Sequence, residues 1–164
     1  MIDHDLDVKY VQNPAIGAVL LWRFVCCYHK KSGQAVPFPL LFVVLPITFR
    51  RDLCTIIIKT HRASGLSKVS EKLFDKKEND IIYAINKTAI QLRPLTLESF
   101  NIAVEADLIS MSPQSALVSP KTEKSSGFST NGETKDMIKA AEKLGLWCSD
   151  LTMLEISKWL KVRF

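Results

Sequence analysis

The sequence predicts a mostly helical α+β fold: a compact helical domain with a winged-helix-like β-hairpin near residues 109–118. Three observations carry this reading. Apolar residues recur at helical spacing through most of the chain, as in Ile81, Ile82, Ile85, Ala89 and Leu92. Capping residues stand at the ends of several of these runs. One stretch alone pairs short strand-like segments around a turn: Ile109-Ser110-Met111, then Ser-Pro-Gln-Ser, then Ala116-Leu117-Val118.

The 164 residues suffice for one domain with a real core, and 47% apolar against 24% charged residues describes a folded chain. The opening helix is predicted from "NPAIGAVLLWRFVCCYHKK". Asn13 caps it, Pro14 occupies its first turn, His29–Lys31 suit its C-terminal dipole, and Ser32–Gly33 stop it. The run "AVPFPLLFVVLPITF" follows, read as a short buried helix or a strand. Helices are expected at 51–61 and 66–74, broken at Ser64–Gly65, and at 78–92, ended by Pro94. Thr96 is expected to cap "LESFNIAVEADL". Two capping boxes, Thr130 with Glu133 and Thr152 with Glu155, introduce the last two helices. The first of these is expected to stop at Gly145, and "KVRF" to form a terminal strand.

The expected organisation is a core over 1–118, a Ser/Thr/Gly-rich surface loop over 119–132, and helices over 133–164 packing back on the core as one domain. Residues 15–28 and 35–49 are apolar, but both fall short of the roughly 20 residues a membrane span needs. The first contains Arg23 and the second contains three prolines, so no membrane contact is expected. The stretch MIDHDLDVKY lacks the basic and apolar regions of a secretory signal, and the cysteines 26, 27, 54 and 148 form no C-x-x-C. Buried thiols in a reducing cytoplasm are the expectation.

Catalytic signatures are missing. The chain has no glycine-rich phosphate loop and no H-E-x-x-H. Cys26 and His29, three apart on one helical face, make a weak metal motif even with Cys54 or His61 added, because zinc needs four well-spaced ligands. No catalytic residue, metal or cofactor is expected, and the chain reads as a non-enzyme.

The net charge of +5 permits an acidic partner. Basic residues are densest at Arg50, Arg51, Lys59, His61, Arg62, Lys68 and Lys72. Arg50, Arg51, Lys59, Arg62, Lys68 and Lys72 are the candidate contacts to nucleic acid or an acidic partner; the alternative is a solvated helical face. In the opening helix Arg23 and Lys30 lie seven apart on nearly one line, amid a circumference that is otherwise mostly apolar. Either Arg23 pairs with a carboxylate of its own chain, or this side meets another protein. On the second reading Arg23, Lys30, Trp22 and Phe24 are the candidate partner contacts.

Taken in order, "QNPAIGAVLLWRFVCCY", "PFPLLFVVLPITFRRD", "THRASGLSKVSEKL", "LRPLTLESFNIAVEADLISM" and "AEKLGLWCSDLTMLEISKWLKVRF" span nearly the whole chain. The chain thereby resembles the middle component of bacterial three-component ABC systems. That group includes the small subunit of Lamassu-type antiphage defence. The resemblance implies a non-enzymatic subunit acting beside an SMC- or Rad50-like ABC ATPase and an effector, commonly a nuclease. Double-stranded DNA is then a possible ligand through the complex. A winged-helix DNA-binding protein or repressor acting alone is the alternative. The resemblance carries no catalytic residue onto this chain, and residues 119–132 are its least family-like part.

Overall fold

A computed structural model describes residues 12–75, 79–123 and 132–164. Helix α1 spans Pro14–Ser32 and begins as its sequence dictates. Asn13 holds an extended backbone and accepts the Ala15 N–H at 2.8 Å on Oδ1. Gly33 closes the helix in the left-handed region (φ 69°) and returns its N–H to His29 O at 2.7 Å.

The proline-punctuated run is both strand and helix. Val36–Pro37 form β1, Phe38–Val43 a 3-10 turn, and Val44–Thr48 the short helix α2. Three further helices follow: α3 (Arg51–Lys59), α4 (Gly65–Asp75) and α5 (Asn79–Gln91), with a 3-10 turn at Arg62–Ser64 before α4. Gly65 has φ 74°, a conformation open to glycine, and this makes the break at Ser64–Gly65. Helix α6 (Arg93–Glu105) leads into β2 (Ile109–Ser112) and β3 (Leu117–Pro120), and the chain finishes with α7 (Gly132–Cys148) and α8 (Met153–Leu160).

The predicted hairpin forms, with Met111 opposite Val118, and gains a third strand. β1 pairs antiparallel with β3, giving the order β1-β3-β2. Two residues of strand cannot be read from a proline-rich run, because their pairing partner lies some 80 residues away. The fold is mostly helical with one small antiparallel sheet.

Helix α1 runs through the centre. Leu20, Leu21, Trp22, Phe24 and Val25 are fully enclosed, with α7 packed along one side and α6 along another. Two glycines set how closely these helices approach. A Cβ on Gly17 would stand 2.2 Å from Ser99 Oγ on α6, and one on Gly145 would stand 2.4 Å from the Phe24 carbonyl oxygen. Gly145 therefore does not stop α7, which continues to Cys148. Close helix packing, with no left-handed turn, is its role.

Two other local expectations give way to packing. Helix α6 starts at Arg93, with Pro94 in its first turn, so Thr96 lies inside it. Thr96 is buried and, among the described residues, neither its Oγ1 nor the Oγ of buried Ser99 has a partner. The terminal segment is no strand. Lys161 turns left-handed (φ 55°) to cap α8, and Val162 tucks into the core. The Thr152–Glu155 capping box forms with both of its bonds, at 3.2 and 2.7 Å. The box expected at Thr130 lies outside the described residues.

Candidate partner and anion surfaces

Arg23 looks inward. Its Nε and Nη2 both reach Glu142 Oε1 on α7, at 2.9 and 2.8 Å, and its guanidinium lies 5.2 Å from the Trp22 ring centroid. The first alternative for Arg23 is thus realised: a carboxylate of the same chain takes its charge. Trp22 is fully buried and donates its indole N–H to Thr122 O at 2.7 Å. Phe24 is fully buried as well. As candidate partner contacts, Trp22 and Phe24 are corrected by this packing: both are spent on the chain's own core. Lys30 alone of the four stays exposed. Next to it Lys31 pairs with Asp150 and donates to Leu146 O at 3.2 Å, tying the end of α1 to the end of α7.

Three basic residues of the second candidate set, Arg50, Arg51 and Lys68, are paired with carboxylates. Arg50 closes on Asp52 through Nε (3.2 Å) and Nη2 (2.8 Å), Arg51 pairs with Glu133 at 2.8 Å, and Lys68 with Glu71 at 2.8 Å. Burial alone would raise the Asp52 carboxyl, but the Arg50 bond and the Leu53 N–H outweigh it and hold it below the usual range. These pairs are mostly exposed and contribute little to stability.

Arg62, Lys72 and Lys143 instead converge on the end of α3. Lys72 donates to Thr60 Oγ1 at 3.0 Å. Lys143, reaching over from α7, donates to the carbonyls of Ile57, Ile58 and Thr60 at 3.3, 2.7 and 2.8 Å. The Arg62 backbone carbonyl accepts the Trp147 indole N–H at 2.8 Å. Burial, then the charges of Lys72 and Arg62, depress the Lys143 ammonium below its ordinary value. Lys143 thus satisfies the open carbonyls of α3 while gathering positive charge beside them. Lys59 is exposed at the same helix end. Sequence reading missed Lys143 because it stands more than 80 residues from its acceptors, on a helix of ordinary amphipathic pattern.

The family model for Middle Component 3 of ABC-three component (ABC-3C) systems matches residues 3–164. The chain belongs to this Middle Component 3 family. Neither curated proteins nor solved structures give a match.

In this Middle Component 3 chain the four thiols are free, and three are buried. Burial is the leading cause that pushes Cys26 and Cys148 up to about 12 and Cys54 to about 11, and it raises Cys27 too. All four are protonated at neutral pH, three of them in the core and Cys27 half-buried, and are poorly suited to nucleophilic or ligand chemistry. The Cys26–His29 motif does not assemble. Cys26 Sγ donates to Thr122 O at 3.5 Å, and His29 Nδ1 lies 3.1 Å from Gln34 O. His61 spends Nδ1 on the Ala63 N–H at 3.3 Å. Among the described residues no group of three or more His, Cys, Asp or Glu could hold a metal, and no helix is long and apolar enough to cross a membrane.

Proposed function

We propose that this chain is a non-catalytic, structural and regulatory subunit of a bacterial antiphage defence complex of the Lamassu type. It bridges an SMC- or Rad50-like ABC ATPase and an effector nuclease in the cytoplasm. The observation that carries the reading is the family match over residues 3–164. The side-chain chemistry supports it: the thiols are protonated, and Arg23 and Arg50 are committed to carboxylates of the same chain. Co-expression with the adjacent ABC ATPase gene tests it. The tagged chain is expected to retain the ATPase through purification. A chain that folds alone and leaves the ATPase in the flow-through sinks the proposal.

A second reading, direct contact with double-stranded DNA as a winged-helix protein, has two observations in its favour. The sheet order β1-β3-β2, with α2–α6 inserted between β1 and β2, is the order of a winged helix. Arg62, Lys72 and Lys143 gather positive charge at the end of α3, and of these Arg62 is exposed. Charge reversal at Arg62 and Lys72 is expected to weaken a gel shift and flatten its salt dependence. Binding that ignores both changes removes this reading and leaves the first intact.

A further inference from the structure

Three cations meet where α3 ends, and the described chain brings no carboxylate to them. Lys72 of α4 and Lys143 of α7 both bond Thr60, the first at Oγ1 (3.0 Å) and the second at the carbonyl (2.8 Å). Arg62 follows two residues later, its own carbonyl held by the Trp147 indole N–H at 2.8 Å. Among the described residues none of the three enters an ion pair. Their neighbours in sequence, Glu71 and Glu142, are taken by Lys68 and Arg23. Asp136 stands seven residues before Lys143 on α7, about 10 Å along the helix, with exposed Lys139 between them.

The open carbonyls of a helix end carry about half a negative charge, far less than three cations bring. Lys143 uses all of its N–H groups on such carbonyls, those of Ile57, Ile58 and Thr60. It answers the end of α3 by itself, so the charges of Lys72 and Arg62 are left over. Lys143 registers that surplus, since burial and then those two charges depress its ammonium. Like charges gathered at one helix end repel one another, and an anion among them removes the cost.

Donors are left over as well. Lys72 uses one of its N–H groups on Thr60. Arg62 is exposed, and among the described residues no bond engages its guanidinium. His61 Nδ1 accepts the Ala63 N–H at 3.3 Å, so the neutral ring carries its proton on Nε2 and offers one more donor.

We propose that Arg62, Lys72 and Lys143, at the junction of α3, α4 and α7, bind a phosphate dianion, either inorganic phosphate or a terminal phosphate monoester. Such a group brings about two negative charges at neutral pH and several strong acceptor oxygens. The planar fork of Arg62 suits two of those oxygens, Lys72 suits a further one, and Lys143 acts through its charge alone. A phosphodiester of DNA carries a single charge and balances the cluster less well. The proposal shares its residues with the DNA reading and names a different ligand for them.

The Trp147 indole N–H, bonded to the Arg62 carbonyl, reports on the site. In proton–nitrogen correlation spectra of the purified full-length chain, inorganic phosphate is expected to move the Trp147 indole signal saturably. The Trp22 indole, bonded to Thr122 O, stays in place, and chloride at matched ionic strength moves neither. Arg62→Ala keeps the backbone carbonyl and alters only an exposed side chain, and it weakens binding at least about tenfold. Lys72→Met weakens it too. A nucleoside monophosphate that binds more tightly than inorganic phosphate assigns the site to a monoester; equal or weaker binding assigns it to the free ion. A Trp147 signal that responds no more to phosphate than to chloride overturns the proposal, as does an Arg62→Ala variant that binds like the native chain. A DNA duplex without terminal phosphates that moves Trp147 where inorganic phosphate does not overturns it in favour of the DNA reading. Phosphate binding without duplex binding upholds the proposal and removes that reading.

Discussion

Helix α1 and the α5–α6 pair are both rich in apolar residues, and the fold treats them in opposite ways. Helix α1 is wrapped by α7 and α6 until even its arginine is matched from within the chain, by Glu142. The α5–α6 pair gives one side to the core and leaves four large apolar side chains exposed. The difference shows in the contacts. Around α1 they are tight enough that two glycines are required. On α5 and α6, Tyr83, Ile90, Leu97 and Val104 stay between 37% and 58% exposed. Apolar content alone therefore does not distinguish a core helix from a helix that keeps apolar residues exposed.

The comparison breaks most severely at Gly145. A methyl group there would meet the Phe24 carbonyl at 2.4 Å, and backbone cannot rotate away as a side chain can. Gly145→Ala is expected to cost about 3 kcal/mol, since α7 must part from α1. For a chain of this size that lowers Tm by about 6–12 °C, readable by circular dichroism. An unchanged Tm would show that the α1–α7 seam is loose.

Alkaline pH attacks the same core chemically. The folded state raises all four thiols above their ordinary value of 9.0, two of them to about 12. Unfolding therefore releases protons above about pH 9, and stability falls as pH rises from there toward 12. Each thiol contributes a slope of up to about 1.4 kcal/mol per pH unit. Denaturant midpoints between pH 8 and 10 should drop steeply in the native sequence and less steeply in Cys148→Ala. Equal slopes would mean that Cys148 is not held as the neutral thiol.

Glu142→Gln tests the ion pair that answers Arg23. The pair is only partly buried, so solvent screening limits the expected loss to about 1 kcal/mol. The change should be smaller in high salt, and a salt-independent loss would point to packing instead.

At the α1–α6 seam the sign reverses. Thr96 and Ser99 carry buried hydroxyls without a partner among the described residues. Thr96→Val and Ser99→Ala should stabilise the chain by about 0.5–1 kcal/mol each, by removing an unpaid desolvation. Destabilisation would mean that an ordered water or a second conformation satisfies them. The exposed apolar residues give the smallest effect on stability. Ile90→Asp should change stability by no more than about 0.5 kcal/mol, as exposed positions do, and a larger loss in a denaturant titration would show that Ile90 packs on the chain itself.

Much of the helical framework was legible. Asn13–Pro14, Gly33 and Thr152–Glu155 act where the pattern places them, as does the hairpin over 109–118. Thr96, Gly145 and the terminal segment were misread. Thr96 and Gly145 are residue types that cap or end a helix locally but are buried inside α6 and α7, and the terminal segment was read as a strand where Lys161 caps α8 and Val162 enters the core. Of the candidate surface residues, Lys30, Lys59, Arg62 and Lys72 remain available or gathered. Trp22 and Phe24 were drawn inward because a helix apolar on nearly every side cannot announce which side faces solvent.

What the sequence determined by itself was therefore the set of helices, most of their ends and the hairpin. Capping and alternation depend on hydrogen bonds that reach only two to four residues. The tertiary structure alone decided that Arg23 belongs to Glu142, 119 residues away, and that Lys143 belongs to the end of α3. It also decided that Val36–Pro37 complete the sheet and that Tyr83, Ile90, Leu97 and Val104 are left exposed. Those are choices among distant partners, and the spacing of residues along a chain carries no record of which partner the packing will bring.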